Sequence, residues 1–514
     1  MKKPQCILIL DFGGQYTQLI ARRVREAGVY SVVLPYSATI EDITNEAPMG
    51  IILSGGPASV LDAEAPTIET DVFELGIPVL GICYGMQLMG HLLKGTITRA
   101  SEREYGKTTT EITNPNSKLL KGYSQTSTTW MSHTYQVSIV PDGFSSIAKT
   151  NSCPVAAMSN EEKNLYGVQF HPEVTHTDEG RKVIDNFVHN ICGCANDWNM
   201  EAYADLATEQ IREQVGDGTV LLGLSGGVDS AVAAALLYRA VGDRLTCVYV
   251  DHGFMREGES DQVVDIFTKT FPVELIHANA SEIFFDALAG VVEPEEKRKI
   301  IGANFLTVFK QEAKKLGKRD HFAQGTIYPD VIESGSVKGS SVIKSHHNVG
   351  GLPKELGFDS LVEPLRMLFK DEVRKLGITL GLPHSLVYRQ PFPGPGLAIR
   401  VIGDLTREKV QIVRETDYIL RDEIAKAGWD SKISQYFTVL TGAKSVGVMG
   451  DERTYAYAIA IRAVTTDDFM TADVAQIPYE LLGKIATRMV GEVSGVNRVL
   501  FDITTKPPAS IEWE

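Results

Sequence analysis

Cys83 sits in Gly81-Ile82-Cys83-Tyr84-Gly85, and a thiol flanked in this way can be held on a sharp turn from which it attacks a carbonyl. The glycines permit a tight turn that leaves the sulfur exposed, and a helix beginning just after it favours the thiolate. Such a nucleophile needs a base. His171-Pro172-Glu173 offers one, because residues two apart in an extended segment point to the same side and Glu173 can then orient the His171 ring. Leu53-Ser54-Gly55-Gly56-Pro57 adds backbone donors for an oxyanion, with Gly56 and Tyr84 expected to supply them. Taken singly, Cys83 reads equally well as a core thiol, His171 as a satisfied histidine and the glycine loop as an ordinary turn. Their conjunction, in this order and context, has the parts of an acyl-transfer site.

A second constellation suits an anion. Ser225-Gly226-Gly227-Val228-Asp229-Ser230 lies between an apolar run, 219–224, and an Ala- and Leu-rich run, 230–241. A glycine loop opening a helix presents N–H groups and a positive dipole end, and the Ser225 and Ser230 hydroxyls add donors. The Gly-Lys-Ser/Thr ending that serves γ-phosphoryl transfer is missing. The next apolar run ends at Val250-Asp251, so the backbone near Val250 is a candidate for holding a base; in the alternative reading Asp251 only caps a loop. Asp330 and Glu333 would share one face of a helical turn, either to hold Mg²⁺ or simply as a solvated face. The segment 336–351 has the composition of a lid, with Lys344 as a cation delivered to phosphates. Its paired His346 and His347 lack a carboxylate at fixed spacing, and Cys192 and Cys194 lack a second ligand pair, so zinc is not expected at either.

The elements that must position these residues alternate. Runs 6–11, 50–53 and 79–83 read as buried parallel strands separated by helical patterns such as 16–27, which predicts a wound α/β sheet. The pattern lapses near 192–198, and a second α/β unit with a parallel sheet starts at the strand 220–224. Gln390-Pro391-Phe392-Pro393-Gly394-Pro395-Gly396 can continue neither a helix nor a central strand and marks a connector. Beyond it the expected order is strand 398–402, helix 407–427, strands 437–440 and 455–464, helix 479–490 and strand 498–503. This α+β arrangement approximates β-α-β-β-α-β and leaves one sheet face uncovered, as a homodimer would need. The expected domains are 1–195, 196–389 and 390–514.

The first constellation resembles the class I glutamine amidotransferases over roughly residues 5–193. That resemblance implies a Cys83–His171–Glu173 triad that forms a glutamyl thioester and releases ammonia. Asp11-Phe12-Gly13-Gly14-Gln15-Tyr16 is similar to the version fused to GMP synthetases, in which Ser is more usual at position 14. Met131-Ser132-His133-Thr134-Tyr135 departs further, since the family has Met-Ser-His-Gly-Asp there. The second constellation resembles the ATP pyrophosphatases, which activate an acceptor by adenylation. Adenylation with ammonia could serve GMP, NAD, asparagine or a modified nucleoside.

Glu296-Lys297-Arg298-Lys299, the connector at 390–396 and the ending Lys506-Pro507-Pro508-Ala509-Ser510-Ile511-Glu512-Trp513-Glu514 resemble the GMP synthetase family. The resemblance then covers essentially the whole chain. It implies that Arg298, Gln435, Arg498 and Lys506 hold XMP, with Glu512 near its base or ribose, and that ATP adenylates the xanthine 2-oxygen before ammonia displaces AMP. Mg²⁺ would neutralise the departing pyrophosphate, a role shared among Asp229, Asp330 and Glu333. Two alternatives stay open: a glutamine-dependent NAD synthetase, and a catalytically silent nucleotide-binding regulator.

Composition bounds the class. The chain has 514 residues, 43% hydrophobic and 22% charged, which fits a multidomain globular protein. Its formal net charge of −15 opposes binding to a polynucleotide. No apolar run reaches signal-peptide or membrane-spanning length, and six scattered cysteines make no disulfide framework, so a cytoplasmic enzyme with reduced thiols is expected.

Overall fold

The run Cys6-Ile7-Leu8-Ile9-Leu10 is apolar on both sides, as a strand covered from both faces must be. In the computed structural model it forms β1 (Cys6–Asp11), buried through Leu10. The structure describes residues 4–335, 357–449, 451–466, 469 and 471–514. These fall into two compact units: one gathers residues up to Tyr203 together with those described from Pro329 to Gly335, and the other gathers Ala204–Tyr328 and everything described from 357 onward.

In the first unit β1 lies in a nine-stranded sheet with β2 (Tyr30–Pro35), β3 (Gly50–Leu53), β4 (Val79–Ile82), β5 (Thr96–Ile112), β6 (Thr126–Ile139), β7 (Ser145–Lys149), β8 (Ala157–Asn160) and β9 (Leu165–Val168). The order is β2-β1-β3-β4-β9-β8-β7-β5-β6. Pairing is parallel from β2 to β9 and antiparallel from β9 onward. The carboxyl ends of β3, β4 and β9 therefore lie side by side, where ligands gather in wound sheets.

The second unit holds a parallel sheet of β10 (Val220–Leu224), β11 (Leu245–Asp251), β12 (Glu274–Asn279), β13 (His321–Ala323) and β14 (Ser360–Val362), in the order β12-β11-β10-β13-β14. It also holds a sheet of β15 (Gln435–Met449), β16 (Glu452–Thr465), β17 (Asp473–Val474) and β18 (Val496–Asp502). Helices Arg407–Lys426 and Tyr479–Glu492 cover one face of this sheet, and Val413, Leu420, Ile485 and Met489 share a core with Ile459 and Ile461. The same core continues into Leu221 and Val250 of the parallel sheet.

Two expectations are corrected here. Residues 398–402 form no strand: Gly396–Arg400 is a short 3₁₀ helix, and Val401 makes a single bridge to Leu440. The preceding prolines fix the approach of the chain, and Gly396 turns it at φ +65. The second face of the sheet is also partly covered by the chain itself, because Ile402, Ala472 and Ile511 pack on Phe437, Val439 and Ala460. Exposed apolar residues remain further out on the β15–β16 hairpin, where Val446 pairs with Tyr455 and Val448 lies two residues on.

Candidate active site

β4 stops at Ile82 because the chain turns sharply at Cys83, whose φ is +52, and the helix Tyr84–Leu92 begins at once. Such a conformation is strained for a residue with a Cβ. Glycine is required on both sides of it. A Cβ on Gly85 would lie 2.3 Å from the Leu53 carbonyl oxygen, and one on Gly81 would lie 2.6 Å from the Gly85 backbone.

The sulfur is less open than the sequence predicts, since Cys83 is only 7% exposed. Its Sγ lies 3.7 Å from the Ser132 carbonyl oxygen on β6, and Gln169 Nε2 donates to it at 3.6 Å. The expected base is paired with its expected partner: His171 Nδ1 lies 2.7 Å from Glu173 Oε1, both groups being buried. Burial opposes charge on this ring, but the interactions with Glu173 and Cys83 outweigh it and hold His171 well above its ordinary value. Arg23 Nε donates to the Glu173 backbone at 2.8 Å, Thr177 Oγ1 donates to the His171 carbonyl at 2.6 Å, and Tyr16 meets the imidazole edge-on.

The glycine loop closes over these groups. A Cβ on Gly55 would stand 3.3 Å from His171 Cε1 and 3.9 Å from Cys83 Cβ, and one on Gly56 would stand 3.3 Å from Tyr84 Cγ. Gly55 is thus the loop residue beside Cys83, while Gly56 packs on the ring of Tyr84, the residue that follows the thiol. The departure at position 14 also has a steric setting, because a Cβ on Gly14 would be 2.4 Å from the Gly55 carbonyl oxygen.

In the second unit residues 225–230, expected to cradle phosphates, follow β10. Gly226 takes φ +72, Gly227 caps the helix Val228–Val241, and the Ser225 and Ser230 hydroxyls are 3.1 Å apart. Lys370 Nζ reaches both Asp229 oxygens, at 2.6 and 2.7 Å. Val250 is buried near the end of β11. Beyond it a cavity of about 670 Å³ opens at the carboxyl ends of β11 and β12, lined by Asp251, Arg256, Asn279 and Arg414 among others. Residues 225–230 are not part of its lining, but Met255, which is, comes within 3.1 Å of where a Cβ on Gly226 would be.

Of the residues expected around XMP, Gln435 and Glu512 are brought together, with Gln435 Nε2 donating to Glu512 Oε1 at 2.9 Å. Arg298 Nη2 reaches the Glu514 backbone oxygen at 2.5 Å. Lys506 Nζ donates to the Phe469 carbonyl at 2.7 Å, and Arg498 Nε donates to Ser445 Oγ at 3.0 Å, so those two have partners elsewhere. Asp330 and Glu333 lie on the helix Tyr328–Gly335. Lys344 and the rest of 336–351 lie outside the described residues, as does the side chain of Glu333.

Segments of the chain match three families: Glutamine amidotransferase class-I over residues 8–191, NAD synthase over 200–306 and GMP synthase C terminal domain over 422–513. Along its length the chain is similar to the glutamine-hydrolyzing GMP synthases of Acetivibrio thermocellus, 60% identical with 99% of both chains covered, and Ruminiclostridium cellulolyticum, 59% identical with 99% of both covered. A third, from Clostridium botulinum, is 58% identical with 100% of both covered. The chain belongs to the glutamine-hydrolyzing GMP synthase family.

Several residues of this GMP synthase family member escaped the sequence reading. Gln87 Nε2 donates to Gln169 Oε1 at 3.1 Å and to the Tyr135 carbonyl at 2.7 Å, linking the thiol's neighbour to β6. Its position four residues after Cys83 on one helix face was a usable signal. His133, in the divergent segment, faces Glu104 at 3.1 Å, and Glu104 also accepts from Thr150 and Ser152. Glu104, His133 and Cys153 form a compact buried cluster, in which burial first and Glu104 second push the Cys153 thiol up to about 12. Lys370 and Arg400 carried no sequence signal that separates them from surface cations, and Lys297 was legible only as part of the 296–299 motif.

Proposed function

We propose that this chain hydrolyses glutamine at Cys83 and uses the ammonia, with ATP, to convert XMP to GMP, AMP and pyrophosphate, acting in the cytoplasm. The observation that carries the reading is the return of the segment 506–514 into the second unit, where Glu512 meets Gln435 and Arg400. Paired with a cysteine elbow in the first unit, that arrangement supports an acceptor-specific amination rather than free glutamine hydrolysis.

In this reading the Cys83 sulfur attacks the glutamine carboxamide carbon while Gly56 and Tyr84 N–H groups face the oxyanion. His171, oriented by Glu173, gives the proton that lets ammonia leave and then takes one from the water that cleaves the thioester. In the second unit the N–H groups at 225–230 face the ATP phosphates. The xanthine 2-oxygen attacks the α-phosphorus and pyrophosphate departs; ammonia then adds at C2 of the base, the C2–O bond breaks so that AMP leaves with the oxygen, and the new amine sheds a proton.

Mg²⁺, when bound, would neutralise the leaving pyrophosphate. Asp229 has the oxygen donors that a hard cation takes, and its contact with Lys370 sets a condition, since the ammonium must give way or turn to the phosphates. Asp330 and Glu333 remain the other proposed carboxylates, and Lys344 the proposed lid cation.

The decisive assay follows AMP and GMP formed from XMP, ATP and either glutamine or ammonium. The NAD synthase match over 200–306 supports one second reading, in which the acceptor is deamido-NAD. Turnover of deamido-NAD without turnover of XMP would replace the first reading with the second. The exposed Val446, Val448 and Tyr455 further support a homodimer through the β15–β16 hairpin. Light scattering should give twice the chain mass, and Val448→Lys with Tyr455→Lys should halve it; a monomer at the outset would refute the dimer.

A further inference from the structure

A buried ionic chain lies between the segment carrying Glu512 and the loop that follows β11. Glu512 holds Arg400 twice: Arg400 Nη2 donates to Oε1 at 3.0 Å and Nε donates to Oε2 at 3.3 Å. On its other side Arg400 Nη1 stands 3.7 Å from Asp417 Oδ1, too far for a hydrogen bond, and neither atom has a partner among the described residues. Asp417 Oδ2 accepts from Arg421 Nε at 3.0 Å. Arg256 Nε lies 3.1 Å from the same oxygen but outside hydrogen-bond geometry, and Arg256 Nη2 is likewise unpartnered. Glu259 completes the surroundings, 3.6 Å from Arg256 Nη1.

The side chains of Arg256, Arg400 and Asp417 are all at most 1% exposed. Water therefore does not complete their hydrogen bonding from the surface, and each unmade bond is costly. The connector holds the two arginines apart: the Phe392 ring lies 4.6 Å from Arg256 Cζ and 5.4 Å from Arg400 Cζ. The connector is itself tied to the loop, because Leu397 N donates to the Phe254 carbonyl at 2.8 Å. A Cβ on Gly396 would come within 2.5 Å of the Phe254 carbonyl oxygen, so the two backbones cannot slide apart or together without cost. Arg256 lines the cavity at the carboxyl ends of β11 and β12.

We infer that the chain Glu512–Arg400–Asp417–Arg256 couples the two nucleotide sites, so that XMP binding at Glu512 strengthens ATP binding at the 225–230 loop, whose Gly226 adjoins Met255, the neighbour of Arg256 in the loop after β11. A ligand that engages Glu512 loosens its hold on Arg400, which can then close the 3.7 Å gap to Asp417. That closure satisfies two orphaned atoms and fixes Asp417, and through it Arg256 and the cavity wall. Asp417 and Arg256 are positioning residues that touch neither reacting group. The inference rests on the reading of Glu512 as an XMP contact.

The test titrates the full-length protein with α,β-methylene-ATP, which cannot lose pyrophosphate, in the absence and presence of saturating XMP. The dissociation constant should fall about fivefold or more when XMP is present, and the effect must be reciprocal. In Asp417→Asn the ratio should collapse towards one while the affinity for XMP alone changes far less. Arg256→Lys should do the same and carries the test if the first variant does not fold. An unchanged ratio in folded variants, or no coupling in the unsubstituted protein, overturns the inference. Glu512→Gln separates the layers: full XMP affinity there would refute the reading of Glu512 itself, whereas weakened XMP binding with coupling intact in Asp417→Asn would refute only the relay.

Discussion

His171 is buried against Glu173 and beside Cys83, and its raised proton affinity has a direction that can be checked. Because the folded value lies above the unfolded one, the pair stabilises the protein fully below about pH 6.5 and loses that contribution as pH rises through the raised value. The protonated ring is also what ammonia release needs, so the alkaline limb of glutaminase activity should track His171. Glu173→Gln removes the attractive charge and should move that limb to lower pH, with a lower maximal rate; a glutaminase profile whose alkaline limb stays in place would contradict this. Cys83→Ala should lower glutamine-supported GMP synthesis by about 10⁴-fold or more, as loss of a nucleophile does elsewhere. Synthesis from ammonium should remain largely intact, and its loss in a folded variant would refute the separation of the two chemistries.

Among the elements, the proposed phosphate loop at 225–230 makes the clearest demand. Asp229→Ala frees Lys370 from its carboxylate partner and removes the proposed cation ligand, so pyrophosphate release should fall with either nitrogen source. Normal release from that variant would strike Asp229 from the role. This loop and the cysteine elbow were both legible in the sequence, because each is a short run of glycines between an apolar strand and a helix, and local sterics alone select it. β1, β3 and β10 were legible for a related reason: burial on both faces leaves a continuous apolar run. β5 and β6 were not, since their 17 and 14 residues are largely polar, as one-sided antiparallel strands are. The stretch 398–402 was apolar enough to pass for a strand, but tertiary packing against the loop after β11 made it a 3₁₀ turn. The long-range partners of the acidic residues at 512 and 514 had no local signature at all.

Taken as a whole, the chain stakes much on its last residues. Lys297 Nζ meets Glu514 Oε2 at 2.5 Å and the Val401 carbonyl at 2.7 Å, while Arg462 donates to the carbonyls of Thr504, Ser510 and Ile511. Lys297, Arg400 and Arg462 are completely buried. Deleting 506–514 would remove the Glu514 partner of Lys297 and the Glu512 partner of Arg400, while Arg462 keeps Asp502 and loses only two carbonyl acceptors; breaking even one buried ion pair costs about 3–5 kcal/mol. The truncated protein should therefore melt earlier and also lose XMP binding, which confounds the two effects. Lys506→Ala separates them, because among the described residues the Lys506 ammonium donates to the Phe469 carbonyl alone and its loss leaves the buried cations paired. If Lys506 turns to the XMP phosphate, removing one charge-assisted hydrogen bond costs about 1.5–3 kcal/mol, or roughly 10- to 150-fold in affinity. XMP titration of this variant, with its melting temperature unchanged, should show that loss for synthesis from glutamine and ammonium alike. Undiminished affinity would make the segment a structural strap and leave the phosphate to Arg298.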